Sequence, residues 1–186
     1  MRDPALIRML PDGRRLHLHD GPIDLIIEAN GAPRAVSAAY QAAARRFVTI
    51  LDELCSELPL LRTSARQGSE RPRGAVAQRM FAAVEPYCED CFITPMAAVA
   101  GSVAEAILES MTEAATLERA YVNNGGDIAI HLADSCGYKI GMVERPDRPS
   151  LFGSLEISAA DPVRGIATSG WRGRSSREFI GMRSST

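Results

Sequence analysis

The chain has 186 residues, of which 46% are apolar and 24% charged, and its formal net charge is −2. These values are typical of a folded globular domain and exclude a globally disordered chain. A near-neutral charge argues against a nucleic-acid partner, which requires a basic face. Because no run of about eighteen apolar residues occurs, we expect no membrane-spanning helix. The N-terminus lacks the apolar segment of a secretory signal, so we expect a cytoplasmic location.

The first third of the chain predicts a β-hairpin followed by a long helix. Apolar and polar residues alternate over residues 14–29 around the turn at Gly21, as in a half-buried hairpin. His17 and His19 share one face of this hairpin, where a metal could bind. Without a third ligand, a solvated outer face is the favoured interpretation. Over residues 34–56, apolar side chains recur every three or four positions, which predicts a helix packed on the sheet.

Further helices are predicted on both sides of a Cys pair. A polar loop over residues 62–74 precedes a short helix at about 75–85, and Thr94-Pro95 begins the next helix as N-cap and first residue. The loop arginines could hold the phosphates of a nucleotide, with simple solvation as the alternative: Arg62, Arg66, Arg71 and Arg73. The later helix begins with small side chains, which predict close packing on the sheet or close approach of a flat ligand: Ala97, Ala98, Ala100, Gly101, Ser102 and Ala104.

Cys88 and Cys91 form a C-x-x-C motif. Such a pair is typical of a redox site or of half a zinc site. Here it follows a helical segment instead of opening a helix after a strand, and no second C-x-x-C occurs. Incidental reduced thiols are therefore the favoured interpretation.

After residue 118 the sequence becomes rich in strand patterns. The candidates are residues 120–122, 127–132, 138–143, 151–157 and 165–168. A hairpin, then helices, then a meander of strands predicts an α+β protein with mixed layers of antiparallel sheet and helices. We expect a single domain over residues 1–174.

One segment with more polar groups than a turn needs is Asn123-Asn124-Gly125-Gly126-Asp127. The glycines have no Cβ, so backbone N–H groups can approach a phosphate or a ring edge directly. Asp127 could bind a ribose hydroxyl or help to hold Mg²⁺ near that phosphate. A type I′ turn with a solvated Asp is the alternative.

The second such segment is Thr168-Ser169-Gly170-Trp171-Arg172, followed by Arg174. It offers hydroxyl donors for an anion, an indole face for stacking and guanidinium groups for phosphates. Ser169 would need a His and an acid to act as a hydrolase nucleophile. Nothing in the sequence brings His131 and Asp127 to it.

Three segments together resemble a known family: Thr94–Gly101, Tyr121–Ile128 and Gly165–Arg174. They look like an uncharacterised bacterial and archaeal family that is similar to ApbE, the flavin transferase once assigned to thiamine biosynthesis. ApbE proteins bind FAD and use Mg²⁺ to transfer FMN onto a threonine or serine of a target protein. The resemblance implies an ApbE-like, T-fold-like α+β fold.

The resemblance also implies a site for a small-molecule nucleotide, which is a flavin (FAD or FMN) or another nucleotide. Residues 124–127 match the Gly-Gly-acid turn beside the flavin nucleotide, and residues 168–170 match the Thr-Ser-Gly segment of the flavin site. Asp127 is then the expected Mg²⁺ ligand. If flavin transfer is retained, Arg172 or Arg174 balances the phosphate charge.

Two departures from the transferases favour a different function. This chain has Ala100-Gly101 where the transferases carry Lys-Gly at the start of the middle helix. Residues 175–186 form a polar tail without periodicity where relatives continue with a strand and a helix, so we expect the tail to be a truncation or frameshift product. The alternative is a non-catalytic binding module or a homo-oligomeric assembly module, using the sheet edge where the missing strand belonged.

Overall fold

The computed structural model describes residues 4–66, 68–143 and 151–167. The elements are, in chain order, β1 (Leu6–Met9), β2 (Leu16–Asp20), β3 (Ile23–Asn30), α1 (Pro33–Ser56), α2 (Leu58–Leu61), α3 (Ala75–Val84), α4 (Val99–Ala114), β4 (Arg119–Asn124), β5 (Asp127–Leu132), β6 (Gly137–Val143), β7 (Leu151–Ser158) and β8 (Gly165–Ala167). Helices combined with antiparallel strands confirm the predicted α+β class. Within the described ranges, no helix combines the length and the apolar character needed to cross a bilayer.

Six strands form one antiparallel sheet in the order β1-β2-β3-β4-β5-β8. Every second residue of β3 is buried, from Ile23 to Ala29, while the residues between them are half-exposed. This alternation turns one face of the sheet towards the helices. Helix α1 packs over β2 and β3, and α4 packs over β4 and β5. The hairpin predicted over residues 14–29 is present as β2 and β3.

Strands β6 and β7 form a separate two-stranded sheet instead of continuing the meander. The physical reason lies in β5. Ile130 and Leu132 point away from the helices, yet both are apolar and buried. Ile157 of β7 and Tyr138 of β6 pack on them in a second, smaller hydrophobic cluster. Because β6 and β7 cover the outer face of β5 and α4 covers the inner face, β5 is covered on both faces. The chain then returns to the main sheet as β8.

The sequence prediction is correct for the apolar stripe of α1 but places the start of α4 too early. The predicted apolar stripe of α1 is confirmed, since Phe47, Ile50 and Leu54 are all buried. The start of α4 differs from the prediction. Thr94 precedes a 3₁₀ turn over Pro95–Ala98, and the α-helix begins only at Val99. Thr94 makes no side-chain cap bond; its carbonyl accepts a hydrogen bond from the Ala97 N–H, as a 3₁₀ turn requires.

Tyr40 of α1 completes the hydrogen bonding of β3. The β2–β3 ladder ends at the pair Leu16–Ile27, which leaves the Ala29 N–H without a partner in β2. The Tyr40 hydroxyl accepts a hydrogen bond from that N–H (3.1 Å) and donates one to the Arg14 carbonyl (2.6 Å). A side chain therefore bridges two backbone groups that a longer β2 would have paired. Burial raises the pKa of Tyr40 accordingly.

We predict that Tyr40→Phe lowers the free energy of unfolding by about 1–2 kcal/mol, because both backbone groups lose their partner. Urea denaturation followed by circular dichroism measures the loss. Tyr87→Phe is the matched control, since the Tyr87 hydroxyl makes no hydrogen bond with another described residue. Equal stabilities of the two variants would contradict the bridging role of Tyr40.

Candidate functional site

The candidate site is built around the turn between β4 and β5. Only Gly125 and Gly126 form this turn, with φ angles of +63° and +112°, and Asn124 pairs directly with Asp127. Two central residues with positive φ are typical of a type I′ hairpin, which glycine adopts without strain. Asn123 and Asn124, predicted as part of the turn, are instead the last two residues of β4.

The two asparagine side chains hold the turn in place. The Asn123 Oδ1 accepts a hydrogen bond from the Gly126 N–H (2.9 Å). The Asn124 Nδ2 donates to the carbonyl of Ala100 in the first turn of α4 (3.1 Å). Both amides thus have structural partners, and the β4–β5 hairpin is tied to the helix. The sequence did not indicate this link, although the small residues of α4 did predict a close approach of another backbone.

The small residues at the start of α4 serve helix–sheet packing. Gly101, Ser102 and Ala104 are buried, and α4 lies against β4 and β5. Of the two interpretations of this segment, close packing on the sheet is the one that the structure displays. Side chains larger than these would hold α4 away from β4 and break the contact between Asn124 and Ala100.

Asp127 is the first residue of β5 and lies opposite Asn124, on the face of the sheet that the helices cover. Its side chain is half-buried, and burial alone raises its pKa above the ordinary value. Within the described part of the chain, no donor or cation contacts its carboxylate at hydrogen-bonding distance. The solvated Asp of a plain turn is therefore not what the structure shows. A partly desolvated carboxylate without a neutralising partner is a feature of binding and catalytic sites.

Strand β8 lies beside this carboxylate. Residues 165–167 of β8 pair with residues 127–129 of β5, and Ala167 is directly opposite Asp127. The predicted site residues Thr168, Ser169, Gly170, Trp171 and Arg172 follow in the sequence and lie outside the described residues, as does the tail over 175–186. The parts of the predicted site that the structure describes are the turn and Asp127, and Ala167 lies next to them.

A hydrolase triad finds no support among the described residues. Asp127 and His131 lie on the same strand and face, but four residues of strand separate them by about 13 Å. The His131 Nε2 lies 3.1 Å from the Leu117 carbonyl oxygen. These two side chains therefore do not form an acid–base pair.

Asp127 would supply only one ligand to a metal ion. The described residues contain no group of three or more His, Cys, Asp or Glu side chains arranged to hold a metal. Mg²⁺ nevertheless suits such a position, because it is commonly bound by one or two carboxylates, several waters and the phosphates of a ligand. The chemistry of the site thus fits Mg²⁺ that arrives with a nucleotide.

The histidine pair of β2 is occupied by neighbouring side chains. The His17 Nδ1 accepts a hydrogen bond from the Arg8 Nε–H (3.3 Å), and its Nε2 lies 2.7 Å from the Asp24 Oδ1. Because Nδ1 accepts, the proton is on Nε2, which donates to Asp24. Neither ring nitrogen of His17 has a lone pair left for a metal. The solvated outer face of the sheet, favoured from the sequence, is the better interpretation.

Two carboxylates on either side of the arginine-rich loop in the sequence, Glu57 and Glu85, contact this loop. The Glu57 carboxylate accepts hydrogen bonds from the backbone N–H groups of Arg73 (2.6 Å) and Gly74 (2.8 Å), at the N-terminus of α3. Arg71 pairs with Glu85 and stacks over Phe81. The protein's own carboxylates therefore occupy the positions where this loop would hold a phosphate.

The cysteine pair follows a helical segment, as the sequence indicated. Cys88 and Cys91 follow a 3₁₀ turn, Glu85–Tyr87, at the end of α3, and both thiols are free. Cys88 packs against a small hydrophobic cluster that includes Phe81 and Val84. Neither cysteine opens a helix, the position that lowers a thiol pKa in redox proteins.

Comparison with known proteins gives one family. No curated protein matches the chain. A family model described as AbpE bacteria matches residues 7–177, which includes both polar segments predicted from the sequence. Its name resembles that of the ApbE-like proteins to which the three sequence motifs are similar. Because the match covers nearly all of the chain, the protein belongs to the AbpE bacteria family.

Proposed function

We propose that this protein binds a flavin nucleotide, FAD or FMN, between the Gly125-Gly126 turn and residues 168–172. The observation that carries the proposal is Asp127: a half-buried carboxylate with a raised pKa and no described partner, opposite the end of β8. A carboxylate in this state gains most from a cation or a sugar hydroxyl brought by a ligand. The family membership and the resemblance to ApbE proteins support the same class of ligand.

The turn offers one open backbone donor beside this carboxylate. The Gly126 N–H is taken by Asn123, whereas no described residue hydrogen-bonds to the N–H of Gly125. No atom lies within 4 Å of the position that a Cβ of Gly125 would occupy. A phosphate oxygen can therefore approach this N–H without a steric barrier. Asp127 would hold Mg²⁺ against the same phosphate, and the ion would screen the negative charge of the nucleotide.

Binding is proposed without flavin transfer, because the main departure from the transferases lies at the site. Ala100 stands where those enzymes carry a lysine, and its carbonyl contacts Asn124, the direct neighbour of Asp127 across the hairpin. The site therefore lacks a cationic side chain at this position. Release of AMP from FAD in the presence of Mg²⁺, with the FMN recovered on a threonine or serine of an acceptor protein, would show that transfer chemistry is retained without it.

The binding proposal predicts that the protein retains flavin after incubation with FAD or FMN and Mg²⁺, followed by desalting. An absorbance scan detects the flavin, and isothermal titration calorimetry measures the dissociation constant. Asp127→Ala should raise that constant about tenfold or more, or about 1.4 kcal/mol.

Asp134→Ala provides the control, since Asp134 is an exposed acid in the turn after β5 and its replacement removes the same charge. The proposal fails if neither flavin is retained and neither shifts the melting temperature. If flavin binds but Asp127→Ala binds it as tightly as the native chain, the site lies elsewhere.

A second prediction concerns the stability of the ligand-free protein. Burial raises the pKa of Asp127 in the folded chain above 3.8, so its ionised form destabilises the folded state at neutral pH. Asp127→Asn should therefore stabilise the protein at pH 7, by at most about 1 kcal/mol because the side chain keeps part of its contact with solvent. The gain should shrink as the pH falls through the raised pKa of Asp127 and vanish below 3.8, where the native carboxyl is also neutral in both states.

Thermal melts of the native chain and of Asp127→Asn between pH 3 and pH 8 measure this difference. Asp134→Asn, which replaces the exposed acid in the turn after β5, is the control variant. If Asp127→Asn is more stable than the native chain but no longer binds flavin, Asp127 contributes to ligand binding at a cost in folding stability. A loss of stability at pH 7 would mean that the carboxylate has a structural partner.

A further inference from the structure

Strand β1 forms one edge of the main sheet and is apolar and exposed. All four of its residues are exposed, and Leu6, Ile7 and Met9 retain 42%, 40% and 44% of their accessible surface. Three large apolar side chains on a four-residue edge strand are unusual, because proteins normally protect such edges with charges, prolines or a covering element.

Ile7 and Met9 lie on the face of the sheet that the helices cover elsewhere. They pair with Leu18 and Leu16, both of which are buried in the main core, and directly opposite residues in an antiparallel ladder share a face. Helix α1 packs over β2 and β3, one strand further in. Two core-facing side chains thus extend beyond the layer of helices.

Neither a proline nor a charge on the helix side of the sheet protects this edge strand. Pro4 and Pro11 bound the segment, and no proline lies between them. The single charge, Arg8, faces the other side of the sheet and donates to His17. Among the described residues, nothing covers the outer side of β1.

We propose that two copies of this chain associate through β1, edge to edge and antiparallel, to form a continuous twelve-stranded sheet. The strand is complementary to itself in the register centred on Ile7. Ile7 then faces Ile7 of the second copy, and Ala5 faces Met9, so the helix-side row is entirely apolar. On the other face, Leu6 lies opposite Arg8.

The competing register, centred on Arg8, is unfavourable because it places two arginines directly opposite each other. The two-fold axis of the favoured register is perpendicular to the sheet and keeps both α1 helices on the same side. The net charge of −2 on each chain gives little long-range repulsion between the copies.

Sedimentation equilibrium of the full chain over a range of concentrations tests this proposal, and a dimer is expected. Ile7→Lys places two like charges opposite each other at the centre of the joint. This variant should raise the dissociation constant of the dimer about 100-fold or more. Leu155→Lys is the control, because Leu155 is also an exposed apolar residue, on β7, at 45% exposure. Circular dichroism verifies that both variants are folded.

The register is tested separately by cross-linking. In a background with Cys55→Ser and Cys91→Ser, which removes the exposed thiols, Ile7→Cys should form a disulfide-linked dimer with glutathione disulfide as the oxidant. Two thiols lose two protons and two electrons, and the oxidant becomes two glutathione thiols. Met9→Cys should cross-link far less, because Met9 faces Ala5 of the second copy.

A monomer at all concentrations would overturn the proposal. So would a dimer that Ile7→Lys leaves intact, since it would use another surface. Efficient cross-linking by Met9→Cys and not by Ile7→Cys would overturn the register. Flavin binding is independent of these outcomes, because Asp127 lies on β5, which three strands separate from β1.

Discussion

Burial of β5 on both faces is the constraint on which the rest of the structure depends. One face lies under α4, and the other is covered by β6 and β7, whose Ile157 packs on Ile130 and Leu132. A strand covered on both faces loses most of its contact with water, so any polar side chain on it must find a partner or carry a desolvation cost. His131 contacts the Leu117 carbonyl. Asp127, at the end of the same strand, has no such partner among the described residues, and its raised pKa follows from that position.

The geometry of the turn follows from the same packing. Helix α4 can lie on β4 and β5 only because its first turns carry small side chains, and that closeness lets Asn124 reach the Ala100 carbonyl. The hairpin end is then fixed at two points, since Asn123 holds the Gly126 N–H. A fixed turn keeps the open N–H of Gly125 and the carboxylate of Asp127 at a constant separation. Such preorganisation lowers the entropy cost of binding a ligand.

Much of this architecture was predictable from the sequence, because it depends on local periodicity. The β2–β3 hairpin and the stripe of α1 follow from alternation and from three- and four-residue spacing, which directly reflect burial of one face. The separate β6–β7 sheet was not predictable in this way. Its strands alternate like those of a meander, and only the apolar outer face of β5, with Ile130 and Leu132, explains why they fold back over it. Similarly, the 3₁₀ turn over Pro95–Ala98 carries the same capping signals as an α-helix.

For the site, the sequence identified the residue types but not their environments. Two amides, two glycines and an acid are compatible with a plain type I′ turn, and the backbone is indeed that of such a turn. What distinguishes it is the partial burial of Asp127, and this depends on α4 and β8, which lie far away in the chain. Composition alone gives no information about desolvation, because the same Asp in an isolated hairpin would be fully hydrated.

The two edges of the main sheet are therefore unlike each other, and the difference is chemical. At the β8 edge, Ala167 lies opposite a carboxylate that neighbours an open backbone donor, a combination suited to a polar, phosphate-bearing ligand. At the β1 edge, the exposed groups are aliphatic and thioether side chains, which have nothing to offer a phosphate and gain free energy by leaving water. The alternative of an assembly module, as drawn from the sequence, places self-association at the other edge of the main sheet. The distribution of apolar surface favours the β1 edge, so that assembly and ligand binding need not compete for the same strand.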